Sequence, residues 1–233
     1  MKRSKNYKEH AAKVERGKPH TLDDAVKILR EAAHVKFDES IEAIVRLGVD
    51  PRKADQMIRG TTVLPHGTGK KIKVLVLAKG EKAKEAEEAG ADMVGSDEYI
   101  EKIQKGWTDV DTIIATPDMM GQVGRLGKIL GPRKLMPNPK SGTVTMDISK
   151  AVTAAKAGKI EYRLDKTANI QVGVGKLSFT DEQILENLKV FFGAVMRAKP
   201  AAAKGTYLKN ASICSTMGPG IKLDTSEIAM MGR

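Results

Sequence analysis

The sequence predicts a split two-layer α+β domain, residues 1–68 plus 158–233, with a Rossmann-like three-layer α/β domain inserted at 69–157. Three observations carry this. Strand and helix patterns alternate through the middle of the chain, both flanks carry antiparallel α+β patterning, and loop-like residues, Pro65-His-Gly-Thr-Gly69 and Ala157-Gly158, stand at the two junctions. Two passages of chain between the domains also imply a hinge.

In the first flank, Thr21 with Asp24 three residues on marks a helix start. Ile41, Ala43, Val45 and Leu47 then alternate with Glu42, Ile44 and Arg46, as in a strand with one buried face. In the middle, Lys71–Ala78 is a short β-branched apolar run suited to a buried parallel strand, and the Glu/Lys/Ala-rich 81–89 favours helix. A weaker strand at Ala91–Val94, a helix from a Ser96 cap to Lys105 and a third strand at Asp111–Ala115, ended by Thr116-Pro117, continue the alternation. Asp147 or Ser149 then starts an alanine-rich helix that stops at Gly158. The second flank returns to strands at Lys159–Arg163 and Ile170–Val174, a helix opened by the Thr180/Gln183 capping box, and a strand at Thr206–Ser215.

With 233 residues, 41% of them hydrophobic, the chain can bury a normal core. Its net charge of +11 favours a polyanionic partner, nucleic acid first, because neutralised phosphates release counterions. No apolar run approaches the ~20 residues of a membrane span. The basic N-terminus, Met1–His10, is followed by no apolar block of the kind a secretory signal has, so a cytosolic protein is expected. The single cysteine, Cys214, allows no internal disulfide and reads as a small strand residue.

The basic excess is spread almost evenly over 1–68, 69–157 and 158–233, so it locates no site. Contiguity says more. No carboxylate occurs between Asp118 and Asp147, where Arg125, Lys128, Arg133, Lys134 and Lys140 stand, nor between Glu186 and Asp224. Both passages suit phosphate. Glycines 121, 124, 127 and 131 admit two readings, close approach of backbone to a phosphate or relief of crowding against a neighbouring element. Pro137 and Pro139 make 135–140 a loop.

An enzyme using a nucleotide on the Rossmann-like domain is the rival reading, and its fingerprints are missing. G-x-G-x-x-G does not occur, and the glycine that a phosphate loop needs before Gly69-Lys70 or Gly127-Lys128 is Leu64 or Gln122. His10, His20, His34 and His66 show no metal-ligand spacing with one another or with Cys214. Asp109 and Asp111 have no nucleophile or base nearby in sequence. Neither a cofactor, a metal nor a catalytic residue is expected.

Two short segments combine residue types that meet RNA. Lys36-Phe37-Asp38-Glu39-Ser40-Ile41-Glu42 offers a cation, an aromatic and a hydroxyl, and Ser215-Thr-Met-Gly-Pro-Gly-Ile-Lys222 a hydroxyl, a flexible apolar side chain and a Gly-Pro-Gly turn. By composition alone, Phe37 in the core with Lys36 solvated, and a plain turn at 216–220, are the simpler readings.

These segments, with Thr116–Thr143, Arg59-Gly60, Leu64-Pro-His-Gly67, Asp165-Lys166-Thr167 and Lys204-Gly205, resemble the bacterial family of the large-subunit ribosomal protein L-one, in order and over nearly the whole chain. The resemblance implies a split domain with an inserted one, and a cytoplasmic protein of the large ribosomal subunit. Its implied partners are the stalk region of large-subunit ribosomal RNA, deacylated transfer RNA leaving the exit site, and the messenger RNA of its own operon, whose translation it represses. A monomer when free is expected. Carried over by position, the RNA surface is Lys36, Phe37, Ser40 and Glu42 with Thr216, Met217, Gly218 and Pro219, followed by Asp165 and Lys166. Arg125, Lys128 and Arg133 are candidates for secondary RNA contacts. In this scheme Lys36 meets phosphate, Thr216 a 2′-OH or base edge, Phe37 and Met217 sugar or base, and Gly218 permits close approach. The chain departs from the family at Lys134, where glycine is usual, and at Gln171, where histidine is common.

A non-specific basic nucleic-acid binder is the remaining rival. It differs in binding stalk RNA and random duplex alike.

Overall fold

A computed structural model describes residues 5–15 and 17–231; residues 1–4, part of the basic N-terminus, lie outside them. The chain runs through helices α1 (Lys5–Ala12) and α2 (Leu22–Glu31), then strands β1 (Ser40–Leu47), β2 (Arg59–Val63) and β3 (Val74–Leu77). Helix α3 (Glu81–Glu88), strand β4 (Met93–Gly95), helix α4 (Asp97–Gln104) and strand β5 (Thr112–Ala115) follow. A broken helical stretch over 117–130 contains the single turns α5 (Met120–Val123) and α6 (Gly127–Leu130). After helix α7 (Ile148–Lys156) come strands β6 (Lys159–Arg163) and β7 (Asn169–Lys176), helix α8 (Asp181–Arg197), strands β8 (Leu208–Ser215) and β9 (Ile221–Lys222), and helix α9 (Thr225–Met230). Two compact units result: Met1–Gly69 with Ile160–Arg233, and Lys70–Lys159.

The discontinuous unit is built on an antiparallel sheet of order β7-β1-β8-β9. Strand β1 buries Ile41, Ala43, Val45 and Leu47, the face its alternation predicts. Across it, Val172 and Ile170 of β7 and Ile213 and Ala211 of β8 pair with Ala43 and Val45, so one face of the sheet is apolar throughout. Helices α2 and α8 supply Leu22, Val26 and Leu29, and Ile184, Leu188, Phe191 and Phe192, to the same core. Thr21 accepts from the Asp24 N–H to start α2, and the reciprocal Thr180/Gln183 capping box starts α8.

The other face of this sheet is polar. It is made by Glu42, Ile44 and Arg46 of β1, opposite Gly173, Gln171 and Asn169 of β7 and Cys214, Ser212 and Asn210 of β8. This gives the two-layer half of the expected architecture, with one sheet face bare among the described residues.

Strand β2, which no sequence pattern announced, pairs with β6 in a two-stranded sheet. Its residues are half-buried from Arg59 to Thr62, so no alternation marks it. Gly60 is required there, since a Cβ would lie 2.5 Å from the Tyr162 hydroxyl and 2.6 Å from its ring. The following turn is held by the buried Asn187. Its carbonyl oxygen accepts from the His66 N–H (3.2 Å), and its amide donates to Gly67 O (3.0 Å) and Val174 O (2.8 Å).

The continuous unit has a parallel sheet of order β4-β3-β5 covered on both faces. Val74, Val76 and Ile114 pack with Ile148 and Val152 of α7 and Ala86 of α3, whereas Leu75, Leu77 and Ile113 pack with Ile103 of α4 and with Met119, Val123, Leu126 and Leu130 of the broken stretch. Burial on both faces explains why Val74–Leu77 reads as a continuous apolar run. Each such side chain contributes about 1.5–3 kcal/mol on burial.

Some capping expectations need correction. Ser96 precedes α4 but forms no capping hydrogen bond, its backbone (φ −131°, ψ −104°) lying outside the extended cap conformation. Asp147 precedes α7 without capping it, because its carboxylate takes the Lys150 ammonium at 3.1 Å instead. Within the expected loop at 135–140, Asn138 accepts from the Lys140 N–H at 2.8 Å and opens one 3₁₀ turn, Pro139–Ser141. Pro139 fits the first position of that turn because no N–H is needed there.

Candidate nucleic-acid interface

The pairing of β1 with β8 puts Ile41 opposite Ser215, so the strand start that follows Lys36-Phe37 meets the turn that opens at Thr216. Two contacts then lock the segments together. The Thr216 hydroxyl accepts from the Ser40 N–H at 3.1 Å and donates to the Ser40 carbonyl at 3.3 Å. The Met217 N–H donates to Glu39 Oε1 at 2.7 Å. Glu39 is fully buried, and no described group bonds its second oxygen. Nothing in the sequence marked Glu39, yet its carboxylate fixes the Met217 backbone.

With the backbone held this way, Phe37 and Met217 turn outward, 55% and 51% exposed. The core reading of Phe37 therefore fails. Lys36 and Thr216 are exposed as well, Ser40 is half-buried, and Glu42 lies exposed on the bare sheet face. A second cation stands here that the sequence did not reveal: Lys176 donates to the Ser40 hydroxyl (2.9 Å) and to the Asp38 carbonyl (3.2 Å). Gly218 is needed for shape, since a Cβ would collide with the Ser215 hydroxyl. Pro219 is buried, so it shapes the turn and presents no surface; that corrects its expected place among the contact residues. Thr216 also differs in part from its expected role, because its hydroxyl proton is already directed at Ser40 and only lone-pair capacity remains for a ligand.

Asp165 and Lys166 are not brought to this cluster. They sit in the turn between β6 and β7, where Leu47 N–H bonds Ala168 O, at the opposite end of β1 from Ser40. Asp165 serves its own turn. Burial alone would raise its pKa, but hydrogen bonds from the Asn169 N–H (2.8 Å) and from the Thr167 N–H (2.7 Å) and hydroxyl outweigh that and hold the carboxyl below its ordinary value. Gln171 is exposed on the bare face opposite Ile44. Cys214 lies on the same face, its thiol pushed up first by burial and then by the Glu42 carboxylate, so it stays protonated and unreactive at neutral pH.

In the continuous unit, Arg125, Lys128 and Arg133 are exposed, and the Arg133 guanidinium donates to the Thr108 hydroxyl. The glycines divide. A Cβ at 121, 124 or 127 would meet nothing within 4 Å, so packing does not require glycine there, whereas at 131 it would meet Gly127 O at 2.6 Å. Lys134 occupies φ 60°, with its N–H on Gly131 O and the Leu135 N–H on Leu130 O, which is the left-handed helix end that glycine favours. Asp109 and Asp111 are structural, pairing with Lys73 (2.8 Å) and with Lys70 and the Lys73 N–H (3.1 Å).

Among the described residues, no three His, Cys, Asp or Glu side chains group as a metal site, and no helix is long and apolar enough to cross a membrane. What the arrangement offers is a shallow surface with two outward apolar side chains, two flanking ammonium groups and backbone held rigid behind them. Such a surface suits sugar, base and phosphate together.

The model of the family described as Ribosomal protein L1p/L10e family matches residues 29–219, well over half of the chain, and the protein belongs to that family. It is accordingly an RNA-binding protein of the large ribosomal subunit, from a family of structural ribosomal proteins and not of enzymes.

Proposed function

We propose that this family member is of the bacterial type. Its target is the stalk region of large-subunit ribosomal RNA, its activity there is to help deacylated transfer RNA leave the exit site, and it represses its own operon by binding the messenger RNA with the same surface. It acts in the cytoplasm, on the ribosome, and is a monomer when free. The observation that carries the reading is the joining of Lys36–Ser40 to Thr216–Gly218 through the Ser40–Thr216 and Glu39–Met217 hydrogen bonds, which leaves Phe37 and Met217 facing outward beside Lys36. One rigid surface able to receive both RNAs accounts for the regulatory role without a second site. Lys36 meets phosphate, Phe37 and Met217 pack on sugar or base, and Gly218 lets backbone approach. The glycines at 121, 124 and 127, which packing does not require, leave room beside Arg125 and Lys128 for a secondary contact with stalk or transfer RNA.

The test is a titration of three RNAs at one salt concentration. Stalk RNA and the protein's own leader transcript should both bind at least about 1,000-fold more tightly than a random duplex. Equal affinity for all three would make this a non-specific basic binder. Tight binding of stalk RNA with leader binding no better than random would remove the regulatory role alone.

A further inference from the structure

At the far end of β1, the surface carries a largely open hollow of about 420 Å³ that the site described above leaves unused. Gly48, Asp50, Lys53, Gln56, Lys204 and Lys209 are among the residues lining it. Backbone geometry brings these together. The Gly48 N–H donates to Tyr207 O at 2.6 Å, and no side chain fits at 48 because a Cβ would collide with Thr206 O. The same Cβ would lie 3.3 Å from Lys209 Cε, so the Lys209 stem passes over Gly48. Lys209 is there because the β1–β8 register shifts between Arg46, opposite Asn210, and Leu47, opposite Leu208. The extra residue is a bulge that re-aims its side chain.

The lining of this hollow is net positive, three lysines against the one carboxylate of Asp50. Among the described residues, none of the Lys53, Lys204 and Lys209 ammonium groups is ion-paired with a carboxylate. Asp50, the acid in the lining, is engaged locally: its carboxylate accepts from the Arg52 N–H at 3.0 Å, and its own N–H donates to Gln56 Oε1 at 2.8 Å. The lining holds three lysines, the Asp50 carboxylate and the Gln56 amide but no aromatic ring on which a base could stack. Its chemistry is that of a phosphate site.

We infer that this hollow is a second phosphate-binding subsite, filled by a backbone phosphate of the same RNA that is held at the Thr216 end. This rests on the function proposed above. The two ends are separated by the eight-residue strand β1, roughly 24 Å at about 3.4 Å per residue. The sheet face between them is bare and polar, with Arg46, Asn210, Gln171 and Ser212 along it. A strand or groove edge of RNA lying along that face presents phosphates at both ends. A free anion would gain nothing from the continuity of that face.

The test uses the full-length protein, the triple variant Lys53→Gln/Lys204→Gln/Lys209→Gln, Thr216→Val, and two stalk RNA fragments, one long and one trimmed so that it cannot reach from the Thr216 end to the hollow. Circular dichroism and thermal melting confirm that each variant is folded. The triple variant should bind the long fragment about 10-fold or more weaker than wild type near physiological salt, with a log–log salt slope shallower by roughly one, and bind the short fragment as wild type does. Thr216→Val should weaken both fragments. An unchanged long-fragment affinity in the triple variant, or an equal loss on both fragments, overturns the subsite. If instead Thr216→Val leaves both fragments at wild-type affinity, it is the reading of the Thr216 end that fails. Inorganic phosphate supplies the last arm: saturation of the lysines at millimolar phosphate that bound long RNA does not displace would make the hollow a free-anion site and overturn the shared RNA.

Discussion

The continuous unit covers both faces of its sheet, and the discontinuous unit covers one. In the first, strands β3 and β5 are buried above and below, so no sheet face reaches solvent, and Arg125, Lys128, Arg133, Lys134 and Lys140 stand on the broken stretch and the loop after it. In the second, β7, β1 and β8 present a polar face bounded at one end by Phe37 and Met217. An acid-free passage marks surface that tolerates phosphate, but a rigid platform with exposed apolar side chains is what distinguishes one RNA from another. The longest glycine-rich basic motif therefore carries the family resemblance, while the specific contacts are proposed for the other unit.

The difference can be broken most easily at Glu39. Glu39→Ala leaves the Met217 N–H without its acceptor and should weaken stalk RNA binding by about 1–3 kcal/mol, whereas Glu39→Gln, whose amide oxygen can still accept, should retain most of the affinity. Calorimetric titration of both variants decides it, and equal losses would mean that the carboxylate does not act through this hydrogen bond. In the other unit, Lys134→Gly relieves the positive φ and should raise stability by about 1 kcal/mol in a denaturant titration, with RNA affinity unchanged. A large affinity loss there would move the interface toward the basic stretch. Smaller still is the paired comparison of Lys36→Ala with Arg125→Gln. Lys36→Ala should make the log–log salt dependence of stalk binding shallower by roughly one phosphate's worth, and Arg125→Gln by less. The reverse order would place the principal phosphate contacts in the continuous unit.

Much of the scaffold was legible because the sequence states it locally. Alternation through Ile41–Leu47 fixed which side of β1 is buried, the Thr21 and Thr180 caps marked two helix starts, and the Val74–Leu77 run announced a sheet covered on both sides. Strand β2 was invisible because its residues are half-buried without a period. The site was legible mainly by resemblance. Thr216 meets Ser40 across 176 residues of chain, and no local pattern encodes that pairing. Glu39 between Asp38 and Ser40 reads as one more surface acid until the Met217 N–H is seen on it, and Lys176 reads as a strand-end lysine until it is found on Ser40. The Lys134 departure, by contrast, gained a physical meaning only from its φ.

The central claim is that the Thr216 end of the discontinuous unit carries specificity, and Thr216→Val tests it most directly. Its valine keeps the volume and loses both hydrogen bonds to Ser40. Titrated against stalk RNA and random duplex at one salt concentration, the variant should lose about 1–3 kcal/mol on stalk RNA and almost nothing on the duplex. Equal affinity of wild type and variant for stalk RNA, or an equal loss on both RNAs, would contradict it.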